Sequence, residues 1–163
     1  MTKPKLVITG CGQHGKDTVC EILKEEYGFT FESSSQLANK LVIYNQLKEY
    51  YSSLEDCFKD RRNWRILWHQ LICRYNTPDK TRLAKAIFKD HDIYCGLRNI
   101  EEFNQAKKEN LIDVSIWVDA SFRKPLEYDS ISIKQINCDY VLDNNGTLEE
   151  LRDNIKILMK QIL

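Results

Sequence analysis

Proline and glycine are scarce, three and six residues in 163, and no repeat, low-complexity tract or flexible linker interrupts the chain. A string of tethered modules is therefore excluded, and the length fits one domain with one substantial core. No apolar run approaches the ~20 residues needed to cross a bilayer. The six cysteines (Cys11, Cys20, Cys57, Cys73, Cys95, Cys138) form no C-x-x-C pair and no zinc spacing. Several sit in apolar runs, as buried small hydrophobes do, so disulfides are not expected and a reducing cytoplasm is the expected compartment. A strand pattern begins at Lys5, which leaves no room ahead of it for a signal peptide. His69 and His91 have no partner at ligand spacing, and no zinc site is expected.

Net charge is absent too, with 24 basic and 24 acidic residues, so the total shows no preference for a polyanion. Its distribution is uneven. Residues 59–89 hold nine bases (Lys59, Arg61, Arg62, Arg65, Arg74, Lys80, Arg82, Lys85, Lys89) against Asp60 and Asp79, a local +7 on a body of −7. One region is thereby suited to a negatively charged substrate.

The most informative string is Gly10-Cys11-Gly12-Gln13-His14-Gly15-Lys16-Asp17-Thr18. It follows the apolar run Leu6-Val7-Ile8 and precedes an amphipathic stretch from Val19 to Tyr27. Strand, glycine-bounded loop and helix start are the order a nucleotide-phosphate site requires. The glycines let successive backbone N–H groups turn inward, the helix start adds partial positive charge, and Lys16 reaches the outer phosphate oxygens. Gly12 and His14 complete the loop, His14 with no essential contact expected of it. Asp17 stands where Ser or Thr usually ligates Mg²⁺, and a carboxylate can hold that metal directly or through water.

Strand patterns at Lys5–Thr9, Phe29–Phe31, Ile93–Cys95, Ile112–Val118 and Tyr140–Leu142 alternate with helical ones, which predicts an α/β fold with a five-stranded parallel sheet between helices. Residues 33–89 break the alternation as a helical insert. Leu37, Leu41, Tyr44 and Leu47 share one face; Trp64, Leu67, Trp68, Leu71 and Ile72 share another, with both tryptophans expected in the core. An insert of this size after the second strand reads as a lid or acceptor-binding subdomain. The last helix is the clearest: Thr147 and Glu150 make a capping box, and Leu148, Leu151, Ile155, Leu158 and Ile162 form its apolar face.

A phosphoryl group in transit needs cations and a metal around it. Lys16 is one cation and Arg123, in a lid-like segment at 119–130, is a candidate second. Arg98 follows the run Ile93–Leu97 at the C-terminal edge of a predicted central strand, where open α/β sheets bind ligands. Arg61 and Arg65, four apart on a helix, with Arg62 beside them, either fork around an acceptor phosphate or pair with Asp60 and nearby acids. Glu32 and Ser35, at the end of the second strand, complete the candidate acceptor side.

Together, GCGQHGKDT, IYCGLRN, DASFRKP and CDYVLDNNGTLEEL resemble the P-loop nucleoside monophosphate kinase superfamily, and most of all its small bacteriophage-type deoxynucleoside monophosphate kinases. The resemblance implies a three-layer α/β/α core that binds ATP and Mg²⁺, an acceptor subdomain, and a lid arginine. Carried over, Gly10, Gly15, Lys16, Asp17 and Thr18 would bind ATP phosphates. Arg98 would face the acceptor phosphate, Arg123 would be the lid arginine, and Asn145, Gly146 and Thr147 would border the adenine through their backbone. Related kinases often carry an aspartate at the end of the third strand. Here Cys95 or Gly96 stands there, leaving Asp17 or Asp119 to serve. Three readings stand: a kinase of deoxynucleoside monophosphates; a kinase of the 5-hydroxymethyluracil hydroxyl in DNA, with Glu32 or Asp17 as base; and a non-catalytic nucleotide-binding module.

Overall fold

Leu6–Thr9 forms β1, and all four residues are buried because the strand lies at the middle of a sheet covered on both faces. In the computed structural model, which describes residues 2–163, five parallel strands stand in the order β2-β3-β1-β4-β5. The others are β2 (Phe31–Ser33), β3 (Ile93–Cys95), β4 (Val114–Asp119) and β5 (Tyr140–Asp143). Leu6 pairs with Ile93 on one side and Val114 on the other. The architecture is the expected five-stranded α/β fold.

Alternation along β1 divides the core. Leu6 and Ile8 face α1 (Lys16–Tyr27) and α8 (Leu148–Ile162), packing with Leu23, Ile116, Leu151 and Ile155. Val7 faces the opposite layer with Tyr94, Trp117, Leu83 and Phe103, from α6 (Arg82–Asp90), α7 (Ile100–Lys108) and the neighbouring strands. Helices of the segment after β2 complete that layer: α2 (Ser34–Ala38), α3 (Tyr44–Leu47), α4 (Leu54–Lys59) and α5 (Arg65–Tyr75). No helix among the described residues is long and apolar enough to cross a membrane.

Four local expectations shift. The second strand begins at Phe31 rather than Phe29, because Gly28 ends α1 in a left-handed conformation and Thr30 is held by Asp92 before pairing starts. Leu41 is 42% exposed while Val42 and Ile43 are buried, since Asn39–Ile43 is a π-helical turn that rotates the apolar face. Trp68 is buried as expected, but Trp64 is 51% exposed: it ends a 3₁₀ turn (Asp60–Trp64) and its backbone breaks the run ahead of α5. Leu148 lies exposed at the start of α8, one turn outside the buried face of Leu151, Ile155 and Leu158. The capping box of Thr147 and Glu150 is present.

Candidate active site

The chain leaves β1 at Gly10, whose φ of +144° and close approach to β4 explain the glycine: a Cβ there would lie 2.6 Å from the Val118 carbonyl oxygen. Gly15, at φ +95°, starts α1 where the Asn144 side chain fills the space a Cβ would take. The Asn144 Nδ2 donates to the His14 carbonyl at 2.9 Å, so the end of β5 props the loop from behind.

His14 contradicts its expected idleness. It is fully buried, its Nδ1 accepts from the Ala120 amide at 3.0 Å, and its Nε2 therefore donates to the Pro125 carbonyl at 3.1 Å. Its ring ties the loop to the segment after β4 and faces away from the cleft.

Lys16 turns onto its own loop, donating to the carbonyls of Gly10 (3.0 Å) and Cys11 (2.7 Å). Burial strips its ammonium of water and Arg98 adds like charge, lowering its pKa to about 8. A cleft of about 370 Å³ opens beside it. One wall is Gly12, Gly15, Lys16, Asp17 and Thr18; the other carries Arg61, Arg62, Arg65 and Arg98, with Ser33, Ser34 and Ser35 at the sheet edge.

The arginines are not neutralised by Asp60. That carboxylate accepts instead from Tyr51 Oη (2.7 Å), Asn63 Nδ2 (2.6 Å) and Trp64 Nε1 (2.9 Å), and those donors lower its pKa. Arg61 stacks 3.9 Å over the Phe58 ring and donates to the Phe58 carbonyl. Burial first, then the neighbouring Arg62, lowers its pKa, a cost that a bound anion would relieve.

Glu127, which the sequence reading passed over, is the acid that meets this wall. Its side chain is 10% exposed and accepts from Arg98 Nη1 at 2.6 Å, the Gly12 amide at 2.7 Å and the Ser130 hydroxyl, with Arg65 Nη1 at 3.3 Å. Burial alone would raise its pKa, but Arg98, Ser130 and Gly12 bring it to about 2. In sequence it lies in a polar run, Lys124-Pro125-Leu126-Glu127-Tyr128-Asp129, with no periodicity to mark it.

Other candidates lie elsewhere. Arg123 donates from Nε (3.0 Å) and Nη2 to the Asn144 carbonyl, outside the cleft lining. Asn145 accepts from the Phe122 amide and donates to Asp119, stapling the start of the 119–130 segment to the β5 turn. Gly146 and Thr147 also lie outside the cleft lining, Thr147 capping α8. Glu32 bends onto the Ser33 amide at 3.0 Å and is likewise absent from that lining.

Of the two aspartates left open for the metal, Asp119 is committed to Ser121 and Asn145. Asp17 lies in the cleft, its one side-chain hydrogen-bond partner among the described residues being the Cys95 thiol at 3.6 Å. A single carboxylate beside the Thr18 hydroxyl suits Mg²⁺, which keeps several waters and takes its remaining ligands from phosphates. Among the described residues no cluster of three or more His, Cys, Asp or Glu forms a self-sufficient metal cage.

Glu102 lines the cleft floor at 3% exposure and accepts from Tyr94 Oη and Asn76 Nδ2, each at 3.1 Å. Burial outweighs those donors and raises its pKa from 4.5 to about 8. The folded protein thus holds a proton that the unfolded chain releases, and stability is expected to fall as pH rises from about 4.5 to about 8, by at most about 1.4 kcal/mol per unit. Urea unfolding at pH 5.5 and pH 8 measures this slope. Glu102→Gln should flatten it; an unchanged slope would show that Glu102 is not its source.

The architecture around this cleft has counterparts among solved structures. A gluconokinase from Sinorhizobium meliloti superposes with a TM-score of 0.54 at 11% identity, covering 98% of this chain and 93% of that one. Shikimate kinase from Aquifex aeolicus gives 0.52 at 13% identity, with 96% of each chain covered. An APS kinase from Mycobacterium tuberculosis, solved in complex with AMPPNP and APS, gives 0.51 at 15% identity, covering 98% and 99%. The fold is that of P-loop small-molecule kinases. The sequence itself matches no protein-family model and no curated protein.

Proposed function

We propose that this chain is an ATP-dependent phosphotransferase whose acceptor carries its own phosphate, a deoxynucleoside monophosphate. The observation that carries the reading is the single cleft that holds the Lys16 loop on one wall and Arg61, Arg62, Arg65 and Arg98 on the other. Phosphoryl transfer asks for positioning and positive charge around the oxygens in flight, and this cleft offers both. The loop and Lys16 would hold the ATP phosphates, Asp17 and Thr18 the Mg²⁺ that offsets their charge, and the 33–89 insert the acceptor.

The acceptor class follows from the acids. A hydroxyl acceptor gains from a carboxylate base within hydrogen-bond reach. Glu32 is turned onto its own backbone, Glu102 is spent on Tyr94 and Asn76 and keeps its proton up to about pH 8, and Asp17, the carboxylate left in the cleft, is taken up by Mg²⁺ in this reading. A phosphate acceptor is already a nucleophile and needs no base.

One observation supports a second reading, the hydroxymethyluracil hydroxyl in DNA. Trp64 and Tyr128, 51% and 78% exposed, line a groove with Arg62 and Gly12 beside the cleft mouth. Aromatic faces interleaved with a base suit a single strand. Labelled ATP with Mg²⁺, offered separately to deoxynucleoside monophosphates, nucleosides and hydroxymethyluracil DNA, decides between them. Label is expected in deoxynucleoside diphosphate. Label in polymer would replace the first reading with the second, and ATP binding without transfer would leave a nucleotide-binding module.

A further inference from the structure

We propose that Glu127 is a resident surrogate for substrate phosphate: its carboxylate occupies the anion position bounded by the Gly12 amide, Arg65 and Arg98, and a phosphate must displace it to bind there. The inference rests on the kinase reading of this cleft and adds to it a competing group within the chain.

Three observations converge. The partners of Glu127 are the donors that a phosphate oxygen would use. The Gly12 amide, at 2.7 Å from Oε2, belongs to the phosphate loop, and Arg98, at 2.6 Å from Oε1, belongs to the opposite wall. Glu127 itself lines the neighbouring groove, and from there its carboxylate reaches Gly12 and Arg98, both of which line the cleft. An amide already 2.7 Å from a carboxylate oxygen cannot also hold a phosphate oxygen.

The arginines, second, have few other partners. Among the described residues, the Arg98 side chain hydrogen-bonds only Glu127 and Ser130, and Arg65 forms its one ion pair with Glu127. Without this carboxylate, the Arg65 and Arg98 guanidiniums would be left unpaired, Arg98 beside the buried Lys16. Glu127 supplies one negative charge to that cluster. A triphosphate carries several, so it outcompetes the resident carboxylate on charge alone.

The backbone beside Glu127 is held by His14 on the Pro125 carbonyl and by the buried Ser130, so displacement is a rotation of the Glu127 side chain, and little apolar surface packs against that side chain. Pro125, Leu126, Tyr128 and Asp129 are exposed, and local packing near the carboxylate comes chiefly from Ser130 and from the Glu127 amide on Cys11 Sγ at 3.4 Å.

The test is titration calorimetry with inorganic tripolyphosphate, without added metal, on the unaltered protein, Glu127→Gln and Asp129→Asn. If Glu127 holds the position in at least nine-tenths of molecules, removing its charge should tighten binding about tenfold or more, because apparent affinity scales with the open fraction. Asp129→Asn removes an equal charge from an exposed neighbour, and should change affinity less than about twofold. Unchanged or weaker binding by Glu127→Gln, or an equal gain from Asp129→Asn, overturns the inference while the kinase reading stands. No binding by any of the three overturns both. Crystals of the unaltered protein soaked in tripolyphosphate give a second readout that does not depend on the variant folding. An anion on the Gly12 amide with Glu127 turned away supports displacement; an anion in the loop with the Glu127–Arg98 pair intact refutes it.

Discussion

Lys16→Met is expected to lower phosphoryl transfer by at least about 10²- to 10³-fold, the usual cost of removing one donor to a developing charge, and at the same time to make the free protein more stable at pH 7. The two effects share a cause. Lys16 lies in the cleft with Arg98, in a setting that lowers its pKa from 10.5 to about 8. Between those values the unfolded chain binds more protons than the folded one, so stability rises as pH is raised from about 8 to about 10.5. Below pH 8 the folded protein bears the whole cost of keeping the lysine charged. Methionine keeps the straight chain and removes the charge, at the loss of two hydrogen bonds to Gly10 and Cys11. The net gain at pH 7 should be about 1–2 kcal/mol and should shrink toward pH 10.5. Urea unfolding of both proteins across pH 7–10, beside the labelled-ATP assay, measures both effects. Transfer that survived would refute the role of Lys16; a variant less stable at pH 7 would refute the electrostatic account.

Gly10→Ala should destabilise the fold by about 2–4 kcal/mol and abolish triphosphate binding. The new Cβ would lie 2.6 Å from the Val118 carbonyl oxygen and 3.4 Å from its amide nitrogen. Both atoms belong to the backbone of β4, the strand paired with β1, so no side chain can rotate aside to make room. The φ of +144° adds strain of its own. Relief requires β1 and β4 to part or the loop to shift, and either moves the amides of residues 12–16 out of register. Thermal unfolding should show a midpoint lower by roughly 10 °C, at about 2–4 °C per kcal/mol. A variant with unaltered midpoint and binding would mean that the loop does not depend on this close approach.

Features encoded within a few residues of one another are legible in the sequence. The phosphate loop needs its glycines at fixed offsets, and the Thr147–Glu150 box closes within a single turn. Buried strands read as apolar runs, so all five strands were located to within two residues at each end. Periodicity failed where backbone geometry departed from the regular helix. The π turn at Asn39–Ile43 turned Leu41 outward, and the 3₁₀ turn before α5 left Trp64 in solvent. Arg61, Arg62, Arg65 and Arg98 stood out as charge, but their convergence on one cleft depends on β3 lying between β2 and β1.

Local order, then, was written in the chain: the α/β alternation, the anion-binding loop and the basic segment follow from spacing, because hydrogen bonds within a turn and apolar periodicity act over a few residues. Pairing of polar groups was decided in three dimensions. Glu127 reaches Gly12 across 115 positions, His14 reaches Ala120 across 106, and Arg123 is held by the Asn144 carbonyl rather than over the cleft. An isolated Glu or His has no period and many possible partners. Which one it meets is set by strand order and by the cost of leaving a buried donor or charge unpaired, and both exist only once the sheet has closed.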